Sequence, residues 1–181
     1  MKVITNKPRK QWIMQWYKIS AICLLLLSCA PTIEQDSVIT AQPYIGLEEK
    51  QNRKEIKEFV GVDPVRTEWC AAFVNAILEI DGIPNLNDQT RYPPLMARSF
   101  LYWGTRVEKT EIQRGDVVVF PRGTQGWQGH VGFYVETQSH NDKSYWVILG
   151  GNQDNTVSYQ LFDPSRAIGI RRWINTTVIE G

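Results

Sequence analysis

Cys70 and His130 are the two residues of this chain whose types and settings allow covalent chemistry. Cys70 lies in Thr67-Glu68-Trp69-Cys70-Ala71-Ala72-Phe73-Val74, which reads as the start of an amphipathic helix. His130 lies in Gly129-His130-Val131-Gly132-Phe133-Tyr134-Val135, which reads as the start of a strand. A thiol and an imidazole held on two rigid elements are the minimal parts of a cysteine nucleophile and its base. Free N–H groups and the helix dipole favour a thiolate in the first turn of a helix. The imidazole accepts the thiol proton and returns it to a leaving amine. The expected chemistry is acyl transfer, with amide hydrolysis as its outcome. The backbone N–H of Cys70 is one candidate donor to the oxyanion.

A third polar group usually orients the imidazole. Asn152, at the end of the strand after His130, is the residue chosen, with Gln153 and Asp154 as adjacent candidates. Trp69, Trp127 and Tyr134 flank the expected site and are candidate walls of a substrate groove, although Trp and Tyr also serve as core residues. His140 sits in the polar run Ser139-His140-Asn141-Asp142 and reads as solvent-exposed. No cofactor or metal is expected. Two histidines and one free thiol lack zinc-ligand spacing, and neither an Asp-rich calcium loop nor a phosphate-cradling glycine motif is present. Asp116, opening a strand, reads as a turn acceptor.

The elements that must position these residues follow from periodicity. Glu48 to Val60 reads as a charged helix closed by Gly61, and Asp63-Pro64 breaks the chain. Thr67 is the expected N-cap of the Cys70 helix, which Gly82 closes. Phe73, Ile77 and Ile80, with Val74 and Leu78, form its apolar stripe. Residues 83–95 read as a loop, and Leu95 to Trp103 as a short helix. Strands are expected at Asp116–Phe120, His130–Glu136, Tyr145–Leu149 and Ile168–Trp173, with a loop at Pro121–Gly129 and a turn at 138–143. Alternation places Val131, Phe133 and Val135 on one face of the His130 strand and His130, Gly132 and Tyr134 on the other. Helices followed by an antiparallel sheet make an α+β domain.

The N-terminus has a different character. Lys2, Lys7, Arg9, Lys10 and Lys18 precede an apolar run from Ile19 to Ser28, and no acid occurs before Cys29. A basic segment, a short apolar segment and small residues read as an export signal, too short to span a membrane comfortably. Leu26-Leu27-Ser28-Cys29 resembles a bacterial lipobox, which implies cleavage before Cys29 and lipidation of its thiol. Ala30 then resembles a residue for sorting to the outer membrane. On this reading residues 1–28 are the signal, 29–46 a polar tether and 47–181 the domain. The chain has 20 basic and 19 acidic residues; removal of the signal takes five basic residues and leaves a net charge of −4. That balance excludes a basic nucleic-acid-binding tail. Cys23 is lost with the signal and Cys29 is lipidated, so Cys70 remains as a lone thiol in an oxidising compartment.

Five blocks in order resemble one bacterial and phage family. They are Trp69–Asn75, Ala97–Gly104, Gly115–Phe120, Gly126–Val135 and Leu149–Gln153. The resemblance is to the CHAP-like and NlpC-like cell-wall peptidases and amidases, and it covers about residues 60–173. It implies a papain-like core, N-terminal helices packed on an antiparallel sheet, and action on peptidoglycan peptides. By position it implies Cys70 as nucleophile, His130 as base and Asn152 as the third residue. Glu68 departs from the pattern, in which a smaller residue or proline is expected. It either raises the thiol pKa or faces solvent as a first-turn acid. The expected protein is a monomeric, lipid-anchored cysteine hydrolase, either an N-acetylmuramoyl-L-alanine amidase or a peptide endopeptidase. A non-catalytic lipoprotein that binds wall peptides or a protein partner is the alternative; acyl transfer to an amine would use the same site.

Overall fold

The computed structural model describes residues 36–88 and 91–174. The expected signal at 1–28 and the lipidation residue Cys29 lie outside the described residues. Helix α1 spans Ser37–Ala41, α2 Arg53–Val60 and α3 Cys70–Ile80. Six strands follow: β1 Thr105–Arg106, β2 Val117–Pro121, β3 Gly129–His140, β4 Lys143–Gln153, β5 Thr156–Phe162 and β6 Gly169–Arg172. They form one sheet of order β1-β6-β2-β3-β4-β5, antiparallel at every pairing. The domain is α+β, as its pattern of elements predicts.

Helix α3 is central. Ala71, Ala72, Phe73, Val74, Ile77 and Leu78 are buried, and α3 packs against α1 and α2 on one side and β3 and β4 on the other. Burial on several sides removes the need for a polar face and explains its apolar composition. The sheet presents alternate residues to two clusters. Val117, Val119, Val131, Phe133 and Leu149 join α3, whereas Val118, Phe120, Tyr134 and Ile148 form a second cluster with Trp146 and Ile170. Gly151 permits the contact between α3 and β4. A Cβ there would lie 2.6 Å from both Phe73 Cβ and Trp69 Cζ3.

Several expected boundaries change. Residues 36–46 are part of the domain and not of a tether. Val38 and Ala41 are fully buried, and Ser37 and Thr40 each donate to Asp81 at 2.6 Å. Their polar composition concealed this because their partner carboxylate is distant in sequence. Helix α2 begins at Arg53, later than Glu48, and ends at the left-handed Gly61 as expected. Trp69, not Thr67, is the N-cap of α3, with no side-chain capping bond. The Leu95–Trp103 segment is a 3-10 turn over Ala97–Tyr102. Strands β3 and β4 run longer than expected and meet at Asn141-Asp142, both left-handed, the backbone that a two-residue hairpin turn requires. Strands β1 and β5 were not among the expected elements, although Val157-Ser158-Tyr159-Gln160-Leu161 carries the period-two pattern of an edge strand.

Candidate active site

Cys70 is the first residue of α3 and His130 the second of β3. The Cys70 thiol lies against the backbone N–H groups of Val131 and Ala71. It therefore meets β3 at the residue next to His130. The β3–β4 ladder begins only at Phe133 opposite Leu149, so the thiol approaches β3 where it is paired with β2 but not yet with β4. Side-chain packing separates the two groups: α3 lies on the Val131 face, whereas the His130 ring stacks on Phe162, which in turn stacks on Phe120. Among the described residues, no hydrogen bond joins the thiol to the imidazole.

His130 Nε2 lies 3.1 Å from Gln153 Oε1. The Gln153 amide nitrogen donates to the carbonyls of Ile148, at 3.2 Å, and Ser158. Those two bonds orient the amide so that its oxygen faces the histidine. His130 Nε2 then carries the proton and Nδ1 keeps a free lone pair, the form a general base needs. Gln153, and not the expected Asn152, is thus the side chain hydrogen-bonded to the His130 ring. The register of β4 shifts between Gly150 and Gln153, and Asn152 adopts φ +57°. This irregularity displaces the alternation by one residue and turns Asn152 elsewhere. Asn152 Nδ2 donates to Glu68 Oε2 at 2.7 Å. The Gly150-Gly151 pair was the available signal, since glycine inside a strand marks bulges.

Both reactive groups are nearly inaccessible, Cys70 at 2% and His130 at 5% exposure. Burial pushes the Cys70 thiol up, and Glu68 adds to the rise, against the Val131 and Ala71 N–H groups and Arg122. Desolvation thus outweighs the helix-start effect expected from sequence. Burial, aided by Arg122, moves His130 from 6.5 down to about 4 against the opposing Gln153 hydrogen bond. The resting pair is a neutral thiol and a neutral imidazole.

The His130 shift has a stability consequence. The unfolded chain takes up the histidine proton below about pH 6.5, the folded chain only near pH 4, so acidification favours unfolding in between. This group's contribution is complete above 6.5 and is lost as the pH falls to 4, about 3 kcal/mol in total. Denaturant unfolding of wild type and His130→Asn between pH 7 and 4 measures it. The variant is expected to have the shallower loss by about that amount; equal slopes would remove His130 as the source.

The expected substrate walls divide. Trp127 is 61% exposed and lines a cleft of about 300 Å³ with Cys70, Glu68, Leu95, Met96 and Ala97. Arg98 Nε holds its loop through the Gln128 carbonyl at 2.7 Å. Trp69 and Tyr134 do not line this cleft. Trp69 is fully buried edge-on to Phe73, because as N-cap it points into the core. Tyr134 packs in the second cluster with its hydroxyl 2.8 Å from Thr137 Oγ1. His140 is exposed at the far end of β3. Glu68 faces solvent and pairs with Arg122 at 3.3 Å. Arg122 lines both the Cys70 cleft and the His130 cleft, and its pairing with Glu68 was not apparent along the sequence.

No protein-family model matches this chain, and no curated protein matches it.

Proposed function

We propose that this chain is a lipid-anchored cysteine hydrolase with a papain-like core, cleaving an amide bond in the peptide of bacterial peptidoglycan. The bond is that of an N-acetylmuramoyl-L-alanine amidase or of a peptide endopeptidase. The observation that carries the reading is the Cys70 thiol against the Val131 N–H, directly after a histidine whose Nε2 is held by Gln153. In the reaction His130 Nδ1 takes the thiol proton as Sγ attacks the carbonyl carbon. The tetrahedral intermediate places its oxyanion at the helix start, where the Cys70 N–H is a donor. Collapse breaks the C–N bond, and His130 returns the proton to the departing amine. Water, deprotonated by His130, then attacks the thioester and frees Cys70 and a carboxylic acid. Thiol and imidazole must draw together on substrate binding, since catalytic hydrogen bonds often tighten only in the complex. Cys29 would tether the domain, to the periplasmic face of the outer membrane in a Gram-negative host.

Digestion of purified peptidoglycan, with mass spectrometry of the released fragments, tests this reading. New amine and carboxyl ends are expected; unchanged muropeptides across pH 5 to 8 would overturn it. The orienting role of Gln153 has its own signature. Gln153→Glu places an anion beside the imidazole and raises its pKa. The acid limb of the kcat/KM profile, expected near 4 in wild type, should move upward. A purely structural residue would lower activity without moving that limb.

The burial of Cys70 and the missing thiol–imidazole bond favour a second reading, a non-catalytic lipoprotein that binds wall peptides. Iodoacetamide at neutral pH separates the two. Labelling of native Cys70 supports the hydrolase, and labelling only on unfolding supports the binding module.

A further inference from the structure

We propose that the cleft beside His130 is a carboxylate-binding subsite for the amine side of the substrate, so that the residue released by cleavage carries a free carboxylate. This rests on the hydrolase reading and adds a substrate class to it. Two clefts meet at the site. Cys70 lines the first, whose walls include the apolar Leu95, Met96 and Trp127. His130 lines the second, of about 230 Å³, with Arg122, Arg166, Asn152 and Gln153. Arg122 and Gly123 line both and form the ridge between them.

Bond-making assigns the two sides. The acyl carbon becomes bonded to Cys70 Sγ, so the acyl portion occupies the first cleft. The nitrogen leaves with the proton that His130 delivers, so the amine portion occupies the second. The second cleft is lined by two guanidinium groups. Arg166 is exposed and forms no ion pair within 4.0 Å among the described residues; Asp163, three residues earlier, feels its charge at longer range and accepts from the Ser165 N–H at 2.8 Å. Arg122 is paired with Glu68, but that pair is largely solvated and contributes little, so a substrate carboxylate can replace Glu68. The acid that lines this cleft, Asp154, already accepts from the Gln160 amide at 2.6 Å. A planar carboxylate matches the donor fork of a guanidinium.

Binding of a product-like probe tests the subsite without catalysis. The full chain bearing Cys70→Ala is titrated with the dipeptide Ala-Ala and with its C-terminal amide, by calorimetry. The free acid is expected to bind about tenfold more tightly, the value of one charge-assisted hydrogen bond. Adding Arg166→Gln should bring the two affinities together, and Arg166→Glu should invert the order. Equal affinities, or binding of neither dipeptide at millimolar concentration, would overturn the subsite. Preferential binding of the free acid by a chain that cleaves no amide leaves the subsite standing and removes the hydrolase reading. Cleavage of wall amides without that preference does the reverse.

Discussion

Replacing Cys70 with alanine is expected to lower peptidoglycan cleavage by about 10⁴-fold or more while the domain stays folded. In the proposed reaction Cys70 forms the acyl-enzyme bond, and no other described thiol can substitute for it. The effect on stability is small by comparison. Cys70 is 2% exposed among Trp69, Ala71 and Phe73, and loss of one buried sulfur costs about 1 kcal/mol. Circular dichroism and denaturant midpoints close to wild type, with no fragments released, form the expected result. Activity retained in Cys70→Ala would remove the nucleophile and the proposed reaction with it. Cys70→Ser sharpens the comparison, since it keeps a hydroxyl in place but lacks the thiol's nucleophilicity. It should be nearly as inactive.

Asp116→Ala is expected to destabilise the domain by about 3 kcal/mol, the largest stability effect of any single polar truncation described. Asp116 is 2% exposed and accepts from both Arg172 Nε and Nη2 at 2.7 Å, and from the Gln113 N–H at 2.8 Å. The expected turn acceptor is therefore also the clamp between the start of β2 and the end of β6. Removing the carboxylate takes the Asp116 charge from a guanidinium only 29% exposed. Asp116→Asn keeps the shape and loses the charge, so it should fall between alanine and wild type. Urea unfolding at neutral pH measures both. A loss below about 1 kcal/mol would mean that Arg172 relaxes to water and to acceptors such as the Glu111 carbonyl at 3.0 Å.

Much of this site was legible along the chain, and the parts that were not share a cause. Cys70 at a helix start and His130 at a strand start follow from local periodicity, which depends only on neighbours in sequence. Trp127, read as a candidate groove wall, is exposed and lines the Cys70 cleft. Trp69 read as a groove wall but is a fully buried aromatic of the core, because the two-residue change of N-cap from Thr67 to Trp69 set its direction. Asn152 gave way to Gln153 because the strand irregularity after Gly150 moves every later side chain by one position.

By itself, then, the sequence determined the α+β class, the helix that starts at Cys70, the lone described thiol and the histidine at a strand start. These follow from hydrophobic period and from composition, both local properties. Only the tertiary structure decided that segment 36–46 belongs to the domain, that Gln153 orients His130, and that Arg122 stands between two clefts. It also decided the protonation of the pair. Helix position alone lowers a thiol pKa, but desolvation depends on what packs around Cys70 and His130, and those neighbours come from elements distant in the chain.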